Sequence, residues 1–329
     1  MEGGLHPGRL GAGALVLAAM MALAQALDSC QTSERLPLVA VRSPPLRATV
    51  AARRGGDHQV FRGRLALLPS LTPAPTEVIP PGRAAINVPI LMYHYIRVNP
   101  NAWDRMGFGL SVTPGDFEAQ VAWLAANGYH AIDLQDLEGY LSGAESLPAR
   151  PVVLTFDDGY RDFYTTAYPI LRAHHFTAVS YVITGFLGAS RYMTAAQVVE
   201  LDAAGFEIGA HTVTHPDLTR LGPGNMRHEI VDSKAMLEGL LKHPVLDFCY
   251  PSGKLDGAVV AEVESAGFRS ATTTAAGTTH RLADRFSWTR VRVEGGEPLA
   301  TFVQRLGPQE PTVLGAPGAR SYLSLQNQR

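Results

Sequence analysis

The chain has 329 residues, enough for one large domain or two ordinary ones, and at 46% hydrophobic it can bury a sizeable core. A formal net charge of -2 provides no basic field, which argues against nucleic acid as a partner. With only two cysteines, Cys30 and Cys249, a disulfide framework and a cysteine-rich metal site are both excluded, so any metal must be held by His, Asp or Glu.

Residues 1–30 read as an export signal or an N-terminal anchor. Arg9 is the basic start, Leu10 to Leu27 carries no charge, and Ala24-Gln25-Ala26 has the small-x-small form of a cleavage site. A second reading takes Leu27-Asp28-Ser29-Cys30 as a lipobox-like segment, with lipidation at Cys30. Each reading puts the bulk of the chain outside the cytoplasm, whether secreted, periplasmic or in the cell envelope. The membrane is then reached only through this segment, and the protein is expected to be a monomer.

Residues 31–85 contain eight prolines and no sustained periodicity, as expected of a poorly ordered linker. Within it, the patch Gln59 to Leu68 could form a short strand or a turn of helix. Order is expected from Ile86. Val88 to His94 reads as a buried strand, and Thr113-Pro114 opens a helix that Gly128 closes. A strand near His130, a helix from Leu134 to Leu141 and the apolar strand Val152 to Phe156 follow. Helices are expected near 163–174, 194–205, 225–241, 257–266 and 298–306, and strands near 178–183, 206–210, 245–250, 268–273 and 288–293. Strands alternating with helices imply an α/β fold with a parallel sheet, most simply a barrel, over residues 86–306. Residues 307–329 read as a C-terminal tail.

The polar groups gather at strand ends, where parallel α/β folds place their sites. Asp157, Asp158 and Gly159 end one strand, so two adjacent carboxylates can reach one cleft from different directions. His211 and His215 follow another strand, four residues apart. On a helical turn that spacing would bring both imidazoles to a single ion. One added carboxylate would complete a two-His, one-Asp site with open positions.

Taken together, T-F-D-D-G at 155–159 and H-T-V-T-H at 211–215 resemble the motifs of the NodB-type polysaccharide deacetylases, carbohydrate esterase family 4. P-I-L-M-Y-H-Y-I at 89–96 looks like the first strand of the branch acting on poly-N-acetylglucosamine, and F-C-Y-P-S-G at 248–253 resembles the third family motif. The resemblance covers about residues 86 to 305 and implies a deformed (β/α) barrel of mostly parallel strands. It implies Asp157 as the general base and Asp158, His211 and His215 as ligands of one divalent ion, typically Zn²⁺, with Co²⁺ or Ni²⁺ as alternatives. It also implies a substrate-binding third motif with Tyr250, Pro251 and Gly253, the Tyr250 backbone N–H facing the oxyanion. The implied substrate is an acetylated polysaccharide.

Two departures stand out. The family commonly has Arg where Cys249 stands, an Arg that orients the catalytic Asp; Arg290 is expected to supply that cation, ahead of Arg292. The C-terminal Leu-x-His motif is absent, and His94 is the nearest substitute. Trp288 either lines the acetyl pocket or sits in the core. The missing elements keep two alternatives open, a non-catalytic glycan-binding relic and a hydrolase of a non-sugar amide.

Overall fold

The computed structural model describes residues 78–79, 84–101 and 103–307. The expected signal or anchor at 1–30, the lipidation candidate Cys30, the patch from Gln59 to Leu68 and the tail beyond Gly307 lie outside these residues.

Seven parallel strands close into a barrel in chain order. They are β1 (Ile90–Tyr93), β2 (Pro151–Phe156), β3 (Val179–Val182), β4 (Glu207–Ala210), β5 (Asp247–Cys249), β6 (Ser270–Ala276) and β7 (Trp288–Arg292). The ring closes where β7 pairs β1, with Val291 opposite Leu91. A two-residue strand, His130–Ala131, pairs with the start of β2 outside the ring. The register shifts between β6 and β7, from Thr272 opposite Trp288 to Ala276 opposite Arg290, which marks an irregularity near the site. Within the stretch read as linker, Val78–Ile79 pairs antiparallel with Leu147–Pro148.

Alternation along the strands sorts the core into two layers. Ile90, Val153, Val179, Tyr181, Cys249 and Trp288 belong to one cluster, which fills the barrel. Leu91, Tyr93, Val152, Leu154, Phe156 and Val182 belong to the other, packed against helices. All six residues of β2 are buried, because both of its faces meet protein; this explains its near-continuous apolar run, broken only by Thr155. Each such fully buried apolar side chain contributes on the order of 1.5–3 kcal/mol.

The inward rows continue upward from that interior cluster. Val153, Thr155 and Asp157 share one face of β2, and Trp288, Arg290 and Arg292 share one face of β7. Alternation therefore points functional groups into the mouth of the barrel.

The helices form the outer shell. They are α1 (Arg105–Leu110), α2 (Pro114–Ala126), α3 (Leu134–Ser142), α4 (Tyr168–Ala173), α5 (Ala195–Ala203), α6 (Pro223–Arg227), α7 (Ser233–Leu241), α8 (Gly257–Ser265) and α9 (Leu299–Arg305). Thr113 caps α2, accepting from the Asp116 N–H at 3.2 Å, and capping boxes open α3 at Asp133 and α5 at Thr194. The expected helix over 225–241 is interrupted by a π-turn at His228–Asp232, and the helix over 163–174 begins as one at Phe163–Ala167. Helix α1 was not legible in the sequence.

Candidate active site

At the end of β2 the ladder runs one residue further. The Asp157 N–H donates to the Tyr93 carbonyl at 3.0 Å, so its side chain keeps the inward face. Asp158 then takes a left-handed φ of 73° and Gly159 one of 74°, which turns the chain and brings the second carboxylate to the same cleft. The turn lies tight on β3: a Cβ at Gly159 would come within 3.3 Å of the Val182 backbone. Asp158, Thr212, His215 and Ser252 are four of the seven non-glycine residues with positive φ among the described residues, and all four lie in the loops that build this site. Strain of this kind persists only where surrounding contacts hold it.

Arg290 rises inside the barrel and forks onto Asp157, with Nη1 to Oδ1 and Nη2 to Oδ2 both at 2.7 Å. Its Nε donates to the Thr273 carbonyl at 2.9 Å and Nη1 also to Thr155 Oγ1 at 2.9 Å. Both partners are buried, Arg290 at 1% and Asp157 at 3% exposure. Burial by itself would raise the Asp157 carboxyl. The charge and hydrogen bonds of Arg290, with His94 and His211 behind them, override it and hold the group well below the usual carboxylate range. Cys249 Sγ lies 3.3 Å from Arg290 Nη2, so a small side chain on β5 leaves room for the guanidinium arriving from β7. Arg292, by contrast, stays at the cavity wall.

His211 continues the inward row of β4. Its Nδ1 donates to the Cys249 carbonyl at 2.7 Å, leaving Nε2 facing Asp158 Oδ1 at 3.4 Å. His215 Nε2 lies 3.6 Å from the same oxygen. The expected helical turn is absent: residues 211–215 form a loop in which Thr212 and His215 have φ of 66° and 61°, and these two left-handed residues bring the imidazoles together instead. Within the loop, the His215 N–H donates to Thr212 Oγ1 at 2.9 Å.

Two sets of donor atoms are close enough to share an ion, Asp158 with His211 and His215, and Asp157 with His211 and Cys249. In the second set, Asp157 and Cys249 already touch the Arg290 guanidinium, which would repel a cation. The first set suits a divalent ion: two imidazole nitrogens and one carboxylate, with the His211 tautomer fixed by a backbone carbonyl.

Sequence reasoning missed the brace of this loop. Glu229, 6% exposed, accepts from the Val213 and Thr214 N–H groups at 2.8 Å each and from Thr214 Oγ1 at 2.6 Å. It sits in the π-turn His228–Asp232, and π-turns concentrate at functional sites. A glutamate in a helical pattern gives no signal of this kind.

A cavity of about 580 Å³ opens above these groups, lined by His94, Asp157, Asp158, His211 and His215, with Arg105, Met106, Ser252, Arg292 and Glu294 among the remaining wall residues. His94 Nε2 stands 3.9 Å from Asp157 Oδ2, too far for a hydrogen bond. Burial lowers the His94 pKa more than the neighbouring carboxylates raise it, so the ring is neutral at neutral pH.

One expectation is corrected, and one of the two readings of Trp288 is met. Tyr250 does not face the cavity: its N–H donates to the Thr272 carbonyl at 3.1 Å in the ladder, and its hydroxyl donates to Phe286 O at 2.9 Å. Neither Tyr250, Pro251 nor Gly253 lines the wall; Ser252 does, because a φ of 54° turns it outward. Trp288 also lies away from the cavity. At 1% exposure it belongs to the barrel interior, two residues below Arg290, and its Nε1 donates to Arg281 O at 3.2 Å.

With this geometry in place, comparison with known proteins is specific. Residues 144–271 match the family model described as polysaccharide deacetylase. YxkH of Bacillus subtilis (strain 168), assigned by name to the polysaccharide deacetylases, is 30% identical over 215 residues, covering 65% of this chain and 74% of that protein. The chain belongs to the polysaccharide deacetylase family. It is accordingly an enzyme that deacetylates a polysaccharide, and its barrel is of the NodB type. The deacetylase PplD of Streptococcus pyogenes, solved with acetate, superposes with a TM-score of 0.63 at 32% identity, over 68% of this chain and 99% of that one. The poly-β-1,6-N-acetyl-D-glucosamine N-deacetylase of Escherichia coli K12 is 43% identical over 70 residues, 21% of this chain and 10% of that protein.

Proposed function

We propose that this deacetylase hydrolyses N-acetyl, or O-acetyl, groups of a polysaccharide outside the cytoplasm and does so with one bound divalent ion. The observation that carries the reading is the convergence of Asp158 Oδ1 on the Nε2 atoms of His211 and His215, at 3.4 and 3.6 Å, beside the Arg290-paired Asp157. Zinc fits this donor set most simply, with cobalt or nickel as alternatives. Export rests on the N-terminal sequence, and residues 86–306 are taken as the catalytic domain. Relatives named for poly-β-1,6-N-acetyl-D-glucosamine make an N-acetylhexosamine polymer the first substrate to test.

A divalent ion held by Asp158, His211 and His215 would acidify water and polarise the acetyl carbonyl. The rest falls to the chain. Asp157 stays ionised at every physiological pH because Arg290 compensates its charge, so it can take a proton from the attacking water. Both its oxygens bond Arg290, yet each retains a lone pair for that proton. The same cation makes the protonated carboxyl a strong acid, which gives the proton up again. His94, a neutral imidazole in the same cavity with Nε2 3.9 Å from Oδ2, is placed to receive it through one bridging water and to pass a proton to the departing nitrogen as the carbon–nitrogen bond breaks. Acetate and a free amine leave. His94 thereby does the work of the absent C-terminal histidine.

The test is acetate release by the purified full chain from N-acetylglucosamine oligomers after chelation and reloading with zinc, cobalt or nickel. Activity should vanish on chelation and return with metal. Activity unchanged by exhaustive chelation would remove the metal from the reading.

A further inference from the structure

A polymer presenting one sugar to the cavity must lay its neighbouring sugars on the protein outside it. One wall of the cavity is helix α1, which contributes Arg105, Met106, Gly109 and Leu110. This helix rides on a surface loop that leaves the barrel at Arg97 and returns at Val112. The loop is closed at its base, where the Arg97 N–H donates to Val112 O at 2.8 Å and Tyr95–Ile96 pairs with Ser111–Val112. Compact loops with joined ends are frequently functional.

The loop carries four of the seven exposed large hydrophobic side chains among the described residues: Val98, Trp103, Met106 and Phe108. Trp103 leads them at 92% exposure. It immediately precedes the helix cap Asp104, with Phe108 five residues on. In a hydrophobic staple these two positions close on each other, yet the Trp103 indole stays in solvent.

Residues 104–109 are held firmly all the same. Asp104 Oδ1 accepts from the Gly107 N–H at 2.8 Å, and the Gly295 N–H donates to Gly109 O at 3.1 Å. The Phe108 ring rests on Gly296, where a Cβ would come within 2.8 Å of it. An apolar group held out on a rigid element and rimmed by polar side chains marks a binding surface.

We propose that residues 103–112 form a glycan-binding arm, in which Trp103, flanked by Met106 and Phe108, stacks on the apolar face of a sugar ring at least one unit from the acetyl group removed. This rests on the reading above that an N-acetylhexosamine polymer is the substrate. Continuity selects the occupant, because the helix that displays these side chains is itself the cavity wall. Charge agrees: the loop carries Arg97, Asp104 and Arg105, of mixed sign, and lacks the basic cluster that draws a protein to an anionic lipid surface.

The test compares the full-length wild type with Trp103→Ala and Trp103→Phe on β-linked N-acetylglucosamine oligomers of two to six sugars. Trp103→Ala should lose about tenfold in kcat/KM on the hexamer, carried by KM, with a loss that shrinks as the oligomer shortens, and Trp103→Phe should recover most of it. A parallel measurement reads hexamer affinity by calorimetry in an Asp157→Asn background, where turnover plays no part. The same tenfold weakening is expected on adding Trp103→Ala. No weakening, or an equal loss at every length, overturns the arm. Wild type that binds the hexamer through Trp103 but releases no acetate would sink the proposed reaction and leave the arm standing. Trp103-dependent sedimentation with phosphatidylglycerol vesicles, together with unaltered oligomer affinity, would assign the loop to a lipid surface and overturn the proposal.

Discussion

The two ends of the barrel interior handle buried carboxylates in opposite ways. At the mouth, Asp157 meets Arg290 in a two-pronged pair, and Asp158 faces two histidines. Each negative charge there has a cation or metal-ligating partner. At the base, Glu207 on β4 and Asp247 on β5 meet without a cation. Burial pushes the Glu207 carboxyl well up, and the charge of Asp247 and a hydrogen bond with it push it further. Glu207 Oε1 and Asp247 Oδ2 are enclosed and have no other partner among the described residues, and a proton retained by Glu207 would supply the hydrogen bond between the two side chains. Folding therefore keeps charge where chemistry uses it and neutralises charge by protonation where it does not.

That contrast can be broken most severely at Arg290. Arg290→Met leaves Asp157 buried and unpaired, and should cost about 3–5 kcal/mol of stability in denaturant titration, with loss of acetate release. A variant as stable as wild type would show that Asp157 does not need its counter-charge. Asp157→Asn keeps the shape but removes the proton acceptor. Turnover should fall by about 10²- to 10⁴-fold while bound metal, measured by atomic emission, stays at wild-type stoichiometry.

The mouth also depends on support from outside the barrel. Glu229→Gln replaces an acceptor of three hydrogen bonds by an amide, and should weaken metal binding by about 10- to 100-fold in competition with a chromophoric chelator. Unaltered metal affinity would reduce Glu229 to a packing residue.

The base is sharpened by pH. The folded pKa of Glu207 lies above its unfolded value of about 4.5. Its contribution to stability is thus fully present below that value and is lost as pH rises through the folded pKa. Glu207→Gln should accordingly be more stable than wild type by about 1–3 kcal/mol at pH 8, with the advantage gone at pH 4. An advantage that grew on acidification would contradict a proton retained by Glu207.

Much of this protein could be read from its residues in order. Short apolar, β-branched runs such as Val152 to Phe156 marked the strands, and Thr113-Pro114 and Thr194 marked helix starts, because such signals depend only on neighbours along the chain. The closed parallel barrel followed from the alternation of strands with helices. The two-Asp and two-His motifs were legible for the same reason, each sitting on one strand end.

Distance along the chain hid the rest. Arg290, favoured over Arg292 from its place in the last strand, meets Asp157 across 133 residues, but its two-pronged geometry and its bond to Thr273 O exist only once β7 closes onto β1. Tyr250 looked like an oxyanion donor until the β5–β6 ladder claimed its N–H, and Trp288 fell inside the barrel because it lies two residues below Arg290 on the inward row. The histidine spacing was right, but two left-handed residues replaced the expected helical turn, held by a glutamate from a π-turn that no periodicity reveals. Local patterning along the chain controls which groups stand at strand ends. Which of them meet depends on the folded barrel, because pairing across it is set by register and inward-facing alternation rather than by spacing along the chain.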